Sequence, residues 1–133
     1  MSKTRLDAWH AVVRSRDPAL LDELLADDVV FLSPVVHTPQ RGRDITRSYL
    51  QAAMHVLNND SFTYLREIVD GNDAVLEFQT EIDGITINGV DMLRFDDAGR
   101  IIEFKVMVRP LKAIQTLHGM MAQMLERMKS ARG

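Results

Sequence analysis

From Gly89 to Arg109 the chain switches between apolar and polar residues in a regular way. Ile102, Phe104, Val106 and Val108 fall on one side, and Glu103, Lys105, Met107 and Arg109 on the other. A period of two is what a β-strand imposes. Gly89 to Phe95 is a second apolar-rich run, and Asp96-Asp97-Ala98-Gly99 lies between the two. Asp and Gly supply turn chemistry and a positive φ, so the stretch predicts a long hairpin. The same period extends upstream to Ser61. Phe62, Tyr64 and Ile68 share one predicted strand, and Ala74, Leu76, Phe78 and Ile82 alternate with Glu77, Gln79 and Glu81 in the next. Asp70-Gly71-Asn72-Asp73 and Asp83-Gly84 punctuate them. The reading is one antiparallel meander from Ser61 to Arg109.

Before Ser61 the spacing is helical. Leu6, Trp9, Val12 and Val13 lie on one face of a first helix. Asp17-Pro18 restarts a helix, with Asp as N-cap and Pro at the first helical position. Leu20, Leu21, Leu24 and Leu25 are its expected stripe, ended by Asp27-Asp28. Val29 to Leu32 predicts a short strand, broken by Ser33-Pro34 and followed by a loop through His37. Gly42-Arg43-Asp44 opens a third helix with Ile45, Tyr49, Leu50, Ala53, Met54 and Leu57 at helical spacing; Asn58-Asn59-Asp60 stops it. The chain closes on a helix over 111–130, with Leu111, Ile114, Leu117, His118, Met121, Leu125 and Met128 on one side.

Helices grouped ahead of a meander predict an α+β fold in which helices cover one face of a curved antiparallel sheet. The 133 residues fit a single domain, 1–133, with a core over about 4–110. At 46% hydrophobic residues the chain can bury a core, and a net charge of −3 leaves no basic footprint for nucleic acid. The absence of cysteine excludes a thiol nucleophile and a cysteine metal site. No run nears the ~18 apolar residues of a membrane span, and Met1 to Arg5 form no apolar signal core, so the expected location is cytoplasmic. The histidines show no metal-ligand spacing, and neither a metal nor a cofactor is expected.

The order of elements resembles the nuclear transport factor 2-like superfamily, and its SnoaL-like branch in particular. The resemblance rests on Leu24-Leu25-Ala26-Asp27-Asp28-Val29-Val30-Phe31, on Gly42-Arg43-Asp44-Ile45, and on the run from Met92 to Ile101. It implies a cone-shaped sheet with the N-terminal helices over its concave face, enclosing a pocket. Isomerases, cyclases, dehydratases, hydrolases and plain binding domains share this fold, so it leaves the activity open. Ketosteroid isomerase is the nearest mechanistic comparison, with a Tyr on the first helix, an Asp base after the first strand, and a protonated Asp in the penultimate strand. Those positions fall on Trp9, Ser33 and Asp91. Only Asp91 matches, and Ser33 has no pKa near neutrality, so isomerisation through that base is not expected here.

Asp91 is an acid in an apolar row, and no Lys or Arg shares its face on either arm of the hairpin. It is expected inside the pocket, holding its proton, bonded to Trp9, Tyr49, water or a ligand. His37, beyond the first strand, is the candidate base; its alternative is an ordinary exposed loop histidine. Trp9, Phe31, Ser33, Tyr49, Met54, Leu76, Phe78, Ile87, Phe104, Val106 and Val108 are the expected pocket wall. The functional expectation is a cofactor-independent isomerase, cyclase, dehydratase or hydrolase acting on an apolar or polyketide-like molecule. The alternative is a non-catalytic binding domain for an apolar ligand. Val90, Met92 and Met107 among charges on the opposite face predict a homodimer through the outer side of the sheet.

Overall fold

The computed structural model describes residues 2–132, and side chains over 6–129. The elements are α1 (Ser2–Ser15), α2 (Pro18–Leu24), β1 (Leu25–Leu32), β2 (Gln40–Arg41), α3 (Arg43–Leu57), β3 (Thr63–Asp70), β4 (Asp73–Ile82), β5 (Ile85–Phe95), β6 (Ile101–Arg109) and α4 (Leu111–Arg132). Met1 and Gly133 lie outside the described residues. No described helix is long and apolar enough to cross a membrane.

The strands form one six-stranded open sheet in the order β2-β1-β6-β5-β4-β3. The meander from β3 to β6 is antiparallel throughout. Its turns use the expected chemistry. Asp83 and Gly84 both take positive φ, 53° and 78°, as a tight hairpin turn of this hand requires. Asp96 accepts from the backbone N–H groups of Ala98 and Arg100, 2.9 Å each, holding the longer turn. The sheet as a whole is mixed, because β1 runs parallel to β6. This corrects the all-antiparallel expectation: β1 belongs to no hairpin with β6, and it reaches that strand by a long crossover rather than a turn.

Three local expectations shift for physical reasons. The second helix stops at Leu24; Leu25 is already extended and pairs with Ile101, so Leu25 to Asp28 belong to β1 and not to the helix end. In β6 the register slips between the pairs Arg94↔Glu103 and Phe95↔Ile101. That bulge gives the inward place to Ile101, fully buried, where alternation alone had assigned Ile102. A second bulge follows Tyr64 in β3, so Ile68 pairs with Val75 on the outer face and is 54% exposed instead of sharing the face of Tyr64. Leu20, Ile45, Leu111 and His118 also lie exposed, each on the rim of the stripe to which helical spacing assigned it.

All four helices lie over the face that carries Leu76, Phe78, Leu93 and Phe104. Asp17 caps α2 by accepting from the Ala19 N–H at 2.9 Å, with Pro18 at the first helical position. One core cluster gathers Trp9, Val12, Leu21, Leu25, Phe31 and Phe104 beneath α1 and α2. The other gathers Phe78, Ile87, Ala113, Leu117 and Met121 beneath α3 and α4. Tyr49, Tyr64 and Val106 touch both, and the space between the clusters is where the site forms.

Candidate functional site

Asp91 stands in the middle of β5, opposite Leu76 on one side and Val106 on the other. Inward residues of this strand alternate as Ile87, Gly89, Asp91, Leu93 and Phe95, so the pleat itself turns the carboxyl toward the helices. It is 7% exposed. Removal from water disfavours the charged form and pushes its pKa up to about 7; a hydrogen bond from Tyr64 acts in the opposite sense.

Tyr64 comes from β3, opposite Phe78, one residue before the bulge. Its hydroxyl accepts a hydrogen bond from Trp9 Nε1 at 3.0 Å and bonds Asp91. Burial, Asp91 and Glu67 all raise its pKa above the ordinary phenol value, so it stays an O–H donor. Donation therefore runs one way, from the indole to the phenol to the carboxyl. Protonated Asp91 accepts on one oxygen and can direct its own O–H into the cavity.

The cavity has a volume of about 70 Å³, more than a single water molecule needs. Trp9 packs on Phe104 with ring centroids 5.0 Å apart, and Phe62 stacks on Phe78 at 5.6 Å and 20°. Gly89 makes the second stack fit. A Cβ at this position would lie 2.5 Å from the Phe78 ring and 2.8 Å from the Met107 carbonyl oxygen, distances no real Cβ tolerates.

Of the expected wall, Trp9, Phe31, Ser33, Met54, Phe78, Phe104 and Val106 do line the cavity, with Asp91 among them. Leu76 and Ile87 do not: they face inward but are fully covered by the core. Tyr49 stands behind Phe31, stacked on it at 5.4 Å, and Val108 packs into the cluster under α4. Ser33 turns its hydroxyl onto its own loop, where Oγ accepts from the Val35 N–H at 3.1 Å. His37 is exposed in the loop after β1 and lies off the cavity wall, because Ser33 to Val35 are the loop residues that line it. Tyr64, Phe62, Asn58, Leu117 and Met121 are among the further lining residues that were not in the expected wall. For Tyr64 a signal existed, since it shares a strand face with Phe62. The Asp91 partner proves to be Tyr64, reached through the edge strand, and not Tyr49. Among the described residues no cluster of His, Cys, Asp and Glu is arranged to hold a metal ion.

Comparison with known proteins agrees with this architecture. The SnoaL-like domain family matches residues 6–104. A steroid delta-isomerase from Pseudomonas aeruginosa is 37% identical, with a TM-score of 0.89 over 96% of this chain and 93% of its own. A conserved bacterial protein with a cystatin-like fold from Silicibacter pomeroyi is 31% identical, with a TM-score of 0.85 over 96% and 88%. An NTF2-like protein of unknown function from Mesorhizobium loti, 24% identical at a TM-score of 0.69 over 81% and 90%, shares the fold. No curated protein matches the chain.

Proposed function

The chain belongs to the SnoaL-like family, and we propose that it encloses an apolar small molecule and acts on it as an isomerase-type acid catalyst without a cofactor. The observation that carries this reading is the hydrogen-bonded, protonatable Asp91 in an otherwise apolar cavity. The substrate it suits bears a carbonyl. Asp91 would donate its O–H to that oxygen, and the Trp9–Tyr64 chain behind it would strengthen the donor. Negative charge developing on the oxygen would be met by a short, desolvated hydrogen bond, which is worth more in the cavity than in water. The likeness to a protein named steroid delta-isomerase supports this class of substrate.

Among the described residues, the cavity wall contains no second carboxylate and no histidine. Proton abstraction from carbon therefore has no side-chain base in the wall, and Ser33 does not supply one. This observation favours a second reading: a domain that holds a carbonyl compound by the same donor without turning it over. A thermal-shift screen of apolar ketones, enones and epoxides, followed by product analysis of each hit, separates the two. Turnover that Asp91→Asn abolishes, with binding retained, supports the enzyme. Binding without product supports the binder. Failure of every apolar carbonyl compound to bind would overturn both.

We further propose a homodimer through the outer sheet face. Ile68, Val75, Val90, Met92 and Met107 lie together on it by strand register, and Met107 is 49% exposed. An apolar patch of this kind, ringed by Arg94, Glu103 and Lys105, has the anatomy of an interface core and rim.

A further inference from the structure

A groove at the C-terminal end of α1 shares four residues with the cavity wall: Val13, Asn58, Phe62 and Tyr64. Its remaining surface comes from His10, Arg14, Arg16 and Thr63. The two spaces thus border on the same four side chains, where the C-terminal ends of α1 and α3 meet the start of β3.

The groove is basic in a protein whose net charge is −3. Arg14 is exposed and has no ion-pair partner among the described residues. Arg16 ends α1 in the left-handed region, φ 58°, with its N–H donating to Val12 O at 2.8 Å. Its guanidinium donates one N–H to the Asn58 carbonyl, which leaves its other donors uncommitted among the described residues. Asn58 Nδ2 in turn donates to Val13 O at 2.8 Å, tying the two helix ends together. Glu67 is engaged by His10, which lines this surface, at 2.9 Å. The carbonyls at the two helix ends attract cations, and the two arginines answer them. Each of the two helix ends carries roughly half a negative charge, less than one full guanidinium apiece, and a surplus remains facing the groove.

Resting on the cavity reading above, we propose that this groove is a second mouth of the cavity and that it receives the anionic group of an amphipathic ligand. The ligand class is an apolar carboxylate or sulfonate. Its ring or chain lies among Trp9, Phe62 and Phe78, and its anion emerges between Val13 and Tyr64 onto Arg14 and Arg16. Guanidinium is suited to this role because its planar fork meets a carboxylate or sulfonate with two parallel hydrogen bonds.

Two fluorescent probes that differ by one group test it. 1-Anilinonaphthalene-8-sulfonate carries the anion, and N-phenyl-1-naphthylamine is the same skeleton without it. The sulfonate should bind the full chain more tightly than the neutral probe. Arg14→Gln should weaken the sulfonate roughly tenfold, the size of one lost charge-assisted contact. Arg14→Glu should weaken it further, and both variants should leave the neutral probe unchanged. Ala53→Trp, which fills the cavity, should weaken both probes. Equal affinity for the two probes, or an equal response of both to the Arg14 variants, overturns the proposal while the cavity reading stands. Sulfonate binding that survives Ala53→Trp places it outside the cavity and also overturns the proposal. If neither probe binds, the cavity reading falls and this inference with it.

Discussion

Trp9 Nε1 donates to the Tyr64 hydroxyl at 3.0 Å, joining the first helix to the edge strand 55 residues later. The bond holds the phenol against Asp91, so the polar end of the cavity depends on a contact between the helical layer and the edge of the sheet. Trp9→Phe keeps the ring packing on Phe104 and removes the donor. It should lower stability by about 1 kcal/mol, the net worth of a typical hydrogen bond. Urea titration of the two proteins checks this.

Tyr64→Phe removes the one hydrogen bond that opposes the effect of burial on Asp91. The Asp91 pKa should therefore move further up from about 7. Carboxyl carbon chemical shifts followed against pH measure it. A downward move would mean that Tyr64 stabilises the protonated acid instead.

Asp91 also makes stability depend on pH with a definite sign. Its folded pKa of about 7 lies above the unfolded value, and burial is the cause. Between the two values the native state holds a proton that the unfolded state has released. Stability then falls as pH rises from about 4 to about 7 and levels off above that. The loss is on the order of 4 kcal/mol at most. Asp91→Asn has no proton to lose, so it should remove this part of the slope and be the more stable protein at pH 8. Denaturant midpoints at pH 5 and pH 8 decide the matter.

Gly89→Ala should cost about 1–3 kcal/mol, the usual range for overpacking a closed site. The added methyl meets the Met107 carbonyl and the Phe78 ring, and that ring lines the cavity. The variant should therefore also bind bulky probes less well than small ones. Calorimetric melting and probe titration give the two readouts.

Met107→Glu puts a charge at the centre of the outer-face patch. If the dimer forms there, this variant should be monomeric by light scattering at micromolar concentration, with the wild type running as a dimer. A wild-type monomer under the same conditions would refute the interface.

How much of this was legible follows from which forces are local. The turns at Asp83-Gly84 and Asp96 to Gly99 were readable because turn chemistry acts over two to four residues. The inward position of Asp91 was readable because alternation assigns a face. Alternation does not assign depth. Leu76, Ile87 and Val108 share the inward face yet lie under other side chains, and only the helices above determine which inward residues meet empty space. Bulges defeat parity altogether, as Ile101 and Ile68 show. Tyr64 was missed as the partner of Asp91 for a related reason. The meander pairs β3 with β4 and β4 with β5, so Tyr64 and Asp91 stand two strands apart and their contact crosses β4 rather than following any strand pair. His37 looked close to the pocket in chain order, but the loop after β1 spends Ser33 to Val35 on the wall and carries His37 outward.

The parallel seam between β1 and β6 bears on how the chain is made. Leu25 pairs with Ile101, and Phe31 with Phe104. During synthesis β1 emerges long before its partner exists. α1, α2 and β1 therefore wait with Trp9, Leu21 and Phe31 uncovered until the last hairpin is complete. Closing so long a loop is slow because its entropy must be lost before any contact repays it. A ribosome stalled before Phe104 should present a nascent chain that chaperones bind and proteases cut. Release of the remaining residues should convert it to a protected form in one step. The early half of the sequence carries much of the cavity, yet it acquires that shape only when the final strand arrives.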